Sequence, residues 1–67
     1  MKVKVTDEAY IRATKALLEP DEELPIDFKR FKSAYNVIDN HYAWREPGFM
    51  TEFVSEADAI MFLLRFS

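Results

Sequence analysis

Phe28, Phe31, Tyr35, Ile38 and Tyr42 recur at spacings of 3, 4, 3 and 4, the repeat that lines one side of a helix with apolar groups. The spacing predicts a helix over 28–42, about four turns long, with Asp27 as its N-cap and Lys29, Arg30, Lys32, Asn36, Asp39 and Asn40 on its outer face. A stripe of five large apolar side chains must be buried, so the chain has to fold around it. The stripe specifies a core and carries no chemistry of its own.

At 67 residues the chain reads as one domain, residues 1–67, near the lower size limit, where only about 60% of the unfolded surface is buried on folding. Such a core has to be rich. Apolar residues make up 49% of the chain and aromatics 15%, with one Gly and three Pro, which excludes a disordered or low-complexity chain. Nine of the ten aromatics lie from Phe28 onward, so the C-terminal forty residues are expected to hold most of the core.

The absence of cysteine excludes disulfide staples, thiolate catalysis and Cys-based zinc sites. The N-terminus Met1-Lys2-Val3-Lys4-Val5 runs straight into acidic residues and lacks the apolar run of a signal peptide, and no stretch approaches the length of a membrane span. A cytoplasmic location and no membrane partner are the expectations. A net charge of -3 argues against broad attraction to nucleic acid or anionic lipid.

Lys2 to Val5 alternates with period two and suits a short strand with Val3 and Val5 on one face. Thr6 reads as the N-cap of a first helix, with Asp7 and Glu8 in the turn where the dipole favours negative charge. That helix is expected to reach about Glu19, presenting Tyr10, Ala13 and Leu17 inward with Leu18 beside them, and to stop before Pro20. Pro20 to Pro25 is the most polar segment and reads as an exposed connector. Its carboxylates Asp21, Glu22 and Glu23 lack the spacing and the glycine of a calcium loop.

Glu46-Pro47-Gly48-Phe49 fits a turn in which Gly48 takes a positive φ. Phe49 to Val54 then reads as a strand able to pair with Val3 and Val5, while Ala43 to Arg45 fits either a short partner strand or a frayed helix end. Ser55, with Asp58 three residues on, opens the last helix in a variant of the capping box. From Ala57 to Phe66 only Asp58 and Arg65 are polar. A helix apolar nearly all round needs cover on most sides, and a chain this short has few layers to supply it.

These elements predict an α+β fold: a small single domain with three helices packed on a short two- or three-stranded sheet, in the order β-α-α-β-α. The segment Phe53-Val54-Ser55-Glu56-Ala57-Asp58-Ala59 with Phe62-Leu63-Leu64-Arg65-Phe66 resembles the strand-then-helix ending of small uncharacterised accessory proteins of tailed bacteriophages. The resemblance covers about fourteen residues. It implies a phage-encoded protein acting in a host cytoplasm, and it supplies no activity or site.

No residue pattern points to catalysis. His41 is the only histidine, and Asp39-x-His41 gives at most two ligands where a metal site needs three or four. Ser33 and Ser55 lack the surroundings of a nucleophile, Glu52 and Glu56 carry no pattern that marks an acid–base pair, and a single glycine excludes a phosphate-cradling loop. No enzyme, cofactor or metal is therefore expected. Two functions remain. The first is a protein-interaction module, with a protein partner or a second copy held by surplus apolar surface at Trp44, Met50, Met61 and Phe62. The second is a small nucleic-acid-binding regulator using the one basic cluster, Lys29, Arg30 and Lys32.

Overall fold

The computed structural model describes residues 1–67. The chain order is β1 (Lys2–Val5), α1 (Asp7–Lys15), α2 (Phe28–Tyr35), β2 (Val37–Tyr42), β3 (Phe49–Phe53) and α3 (Glu56–Phe66). The domain is α+β, three helices against a three-stranded sheet, with one strand more than the expected β-α-α-β-α order. No helix is long and apolar enough to cross a membrane.

The sheet is antiparallel throughout and ordered β1-β3-β2. β3 is central, and Val3 and Val5 lie opposite Thr51 and Phe49, which is the pairing expected of the two segments. The N-terminal residue extends this ladder: the Met1 amino group donates to the Phe53 carbonyl at 3.0 Å, and the Phe53 N–H donates to the Met1 carbonyl at 2.8 Å. Alternation sends Val5, Thr51 and Phe53 under the helices and leaves Lys2, Lys4, Met50 and Glu52 on the open face.

The extra strand replaces the second half of the predicted long helix. α2 ends at Tyr35 because Asn36 turns into the left-handed region, at φ 54 and ψ 49, while its N–H still donates to the Lys32 carbonyl. Asn is one of the few side chains that accepts this conformation. Val37 and Ile38, both β-branched, then run as strand. A register shift between Val37 and Asp39 leaves Ile38 49% exposed, so its place in the helical repeat was a coincidence of spacing. Ala43 to Arg45 is neither strand nor helix end: it belongs to the loop 43–48, closed by the Ala43 N–H on the Gly48 carbonyl at 2.8 Å. Gly48 has φ 139, and a Cβ there would stand 2.9 Å from the Val5 carbonyl oxygen. Only glycine fits both conditions.

α1 starts as expected, with the Thr6 hydroxyl accepting from the Ala9 N–H at 3.1 Å, but it ends at Lys15, four residues short of Glu19. Its buried residues are Ala9, Ala13 and Thr14, with Tyr10 and Leu17 partly covered. The core joins Val5, Ala9, Ala13, Phe31, Tyr35, Val37, Phe53, Ala59, Phe62 and Phe66. Phe31, Tyr35, Phe62 and Phe66 meet at ring separations of 4.9 to 6.1 Å, edge-on or tilted, as aromatic quadrupoles prefer. The Tyr35 hydroxyl donates to the Ala13 carbonyl at 2.7 Å, tying α2 to α1 through the middle of the core.

Candidate functional site

α3 is built from its cap outward. The Ser55 Oγ accepts from the Asp58 N–H at 3.2 Å, and the Ser55 hydroxyl donates to Asp58 Oδ2 at 2.8 Å. Asn36 Nδ2 donates to Asp58 Oδ1 at 2.9 Å, so the residue that ends α2 also fixes the start of α3. These donors, Asn36 first and then Ser55, hold the Asp58 carboxyl below its ordinary range. At the other end Arg12 Nη1 donates to the Phe66 carbonyl at 3.2 Å, meeting one of the carbonyls a helix end leaves free.

Between these anchors the helix has two unlike sides. Ala59, Phe62 and Phe66 are buried. Ala57, Ile60, Met61 and Leu64 face out, the last three 47%, 67% and 78% exposed, and Val54 just before the cap is 64% exposed. Residues three and four apart are neighbours on a helix surface, so the outward four form one row. Along its flank runs an open groove of about 230 Å³ between α3 and the end of α2, its walls including the apolar Met61, Phe62 and Phe66 and the polar Asn36, Asp58 and Arg65. Arg65 stacks its guanidinium 5.0 Å from the Phe66 ring centre, and no carboxylate of its own chain pairs with it.

The four residues expected to carry an interaction do not form one surface. Phe62 is 2% exposed and belongs to the core, in contact with Phe31, Tyr35, Phe53 and Phe66; its place on the inner face of α3 removes it from any docking surface. Met50 lies on the open face of the sheet, opposite Lys4 and His41. Trp44 stands 86% exposed on the β2–β3 loop, its ring edge-on to Tyr42 at 4.8 Å, and a train of rings leads from Tyr42 through Phe49 to Tyr10 and the core. Met61 alone sits in the apolar row of α3. Its companions Ile60 and Leu64 are not marked in the sequence, because a helix apolar on every side gives no signal for which side turns out.

The basic cluster is also divided. Arg30 is held by Glu22 through two hydrogen bonds of 2.8 and 2.6 Å and donates as well to the Leu17 carbonyl. The Glu22 carboxyl, which also accepts from the Glu19 N–H, is lowered from 4.5 to about 2, chiefly by the Arg30 hydrogen bonds. The acidic connector is thus strapped to α2, and a fork held by a carboxylate is not free for phosphate. Lys32 lies 5.5 Å over the Phe28 ring, and Lys29 is exposed. No sequence signal links positions 22 and 30, which the chain brings together only by folding back.

His41, expected at the end of a helix, stands on β2 with Nδ1 3.8 Å from Asp39 Oδ2, both side chains exposed. No third His, Cys, Asp or Glu joins them in a metal-ligating group. Glu52 projects from the open sheet face and Glu56 from the first turn of α3. Below the helices the Thr51 hydroxyl, fully buried, donates to Asn40 Oδ1 at 2.6 Å, a pair that satisfies both polar groups inside the fold.

Comparison with known proteins found no match: no family model, no curated protein sequence and no solved structure corresponds to this chain.

Proposed function

We propose that this chain is a non-enzymatic protein–protein interaction module that works through the outward row of α3. The observation that carries the reading is the exposure of Ile60, Met61 and Leu64, which helix spacing makes contiguous neighbours. A small domain has few layers to spare, and a contiguous apolar patch left in water marks an interaction surface. Met61, unbranched and flexible, adapts to a partner's shape at little cost. Trp44, a residue type common among interface anchors, offers a second and separate contact on the β2–β3 loop. In keeping with its C-terminal resemblance, the setting we propose is that of a phage-encoded accessory protein in a host cytoplasm. The competing nucleic-acid reading loses its strongest donor, Arg30, to Glu22, which is why association comes first.

Placing a photo-reactive amino acid at position 61 or 64, and for comparison at the exposed Lys15 on α1, tests the proposal in an extract of the producing cell. Discrete adducts from 61 and 64 and none from 15 are expected. Equal yields from all three, or no adduct from any, would refute it.

A further inference from the structure

Resting on the association reading above, we infer that the outward row of α3 pairs with the same row of a second copy of this chain, the two helices running antiparallel about a two-fold axis near Met61. A two-fold contact requires a patch that complements itself when reversed, and this row does so in three respects. Reversal about Met61 brings Ala57 of one copy to within one residue of the level of Leu64 of the other, a small residue beside a large one. Asp58 and Arg65 stand seven residues apart and therefore share one flank of the helix. Antiparallel pairing preserves that flank and sets each Arg65 near the other copy's Asp58.

Arg65 has no carboxylate partner in its own chain, and the Asp58 carboxylate, with one donor recorded on each oxygen from Asn36 and Ser55, keeps acceptor sites for more. The charges that flank the row thus complement each other across the axis. The third respect is shape. The groove of about 230 Å³ opens on this same flank beside Met61 and Arg65, where the second copy's Met61 has room to settle. The row itself is small, four apolar residues per copy, so the pair buries less than a standard interface does and is weak. The pair is therefore expected to dissociate on dilution.

The chain has no cysteine, which makes engineered cross-links a clean reading of register. In an antiparallel pair Met61→Cys lies next to its own copy and is expected to form a disulfide dimer under mild oxidation. Leu64→Cys lies about 9 Å from its copy along the axis, at about 1.5 Å per residue, beyond the roughly 7 Å between Cα atoms that a disulfide spans. It is expected to cross-link with Ala57→Cys in a mixture and not with itself. Sedimentation of the unmodified protein from about 10 μM to about 1 mM should show a rising dimer fraction, lost in Met61→Glu. Because Met61 is exposed, that variant should melt with the wild type; Leu64→Glu serves if it does not. A monomer over the whole range, or self-cross-linking of Leu64→Cys as efficient as that of Met61→Cys, overturns the antiparallel pair. If the monomer still gives discrete adducts with another protein from position 61 in extract, self-pairing falls and the association reading stands; if neither is seen, both fall.

Discussion

Met61 and Phe62 are adjacent in sequence, equally apolar and opposite in place. Phe62 closes the core against four other rings, whereas Met61 is 67% exposed. The same contrast runs the length of α3: Ala59, Phe62 and Phe66 face the sheet and the other helices, and Ala57, Ile60, Met61 and Leu64 face away. The difference teaches that apolar composition records a demand for cover and not its source. The inner face receives its cover from this chain and so contributes stability; the outer face does not, and by our reading contributes recognition.

The widest separation between the faces should appear on truncation. Phe62→Ala removes a ring from the centre of the core and should cost about 3–5 kcal/mol in chemical denaturation, with Phe31→Ala close behind. Leu64→Ala, two residues along and on the outer face, should cost less than about 0.5 kcal/mol. Comparable losses at both positions would erase the distinction between the two faces.

A second effect of intermediate size sharpens the account of how α3 is held. Asn36→Val places a β-branched residue at φ 54 and removes the donor to Asp58, so a loss of about 1–3 kcal/mol is expected. Asn36→Gly relieves the backbone strain while still lacking the side chain, and should recover part of that loss. If the two variants melt together, the left-handed turn is not what ends α2.

Tyr35→Phe is smaller again. It keeps the ring in the core and deletes only the hydroxyl bonded to Ala13, for a loss of about 1 kcal/mol, measured as the shift in denaturation midpoint at unchanged slope.

The smallest effect belongs to the connector, far from α3. The Glu22 carboxyl is lowered from 4.5 to about 2 by Arg30, so it binds its proton more readily unfolded than folded. The stabilisation from this clamp is complete above pH 4.5 and is lost as pH falls through about 2. Melting temperatures of wild type and Glu22→Gln should therefore differ near neutral pH and converge towards about pH 2. A constant gap over that range would show that the clamp does not couple to folding.

Much of the fold was legible in local chemistry. Thr6, Asp27 and Ser55 each accept from the backbone of the helix they open, Val3 and Val5 pair with β3, and the sole glycine sits where φ is positive. Each of these depends on a few adjacent residues or on a period that only one structure satisfies. Residues 36–42 are ambiguous in sequence because Ile38 and Tyr42 fit a helical repeat while Asn36 and the β-branched Val37 and Ile38 fit a break and a strand, and spacing alone does not decide between them. The candidate site was legible only in part. Sequence marked α3 as over-supplied with apolar surface and named Met61, but the direction of each residue around the helix is fixed by the sheet and by α1 and α2, which touch it from elsewhere in the chain. The Arg30 clamp was hidden for the same reason.

By our reading the outer face of α3 is open in the isolated chain and covered when the protein works. Methyl NMR with a soluble paramagnetic probe reads this directly, residue by residue. In dilute solution the Ile60, Met61 and Leu64 methyl groups should relax strongly and those of Val37 and Ala59 hardly at all. At about millimolar concentration, or in an extract of the producing cell, the first group should gain protection while the second is unchanged. Relaxation of Ile60, Met61 and Leu64 that stays the same in all three conditions would contradict the account.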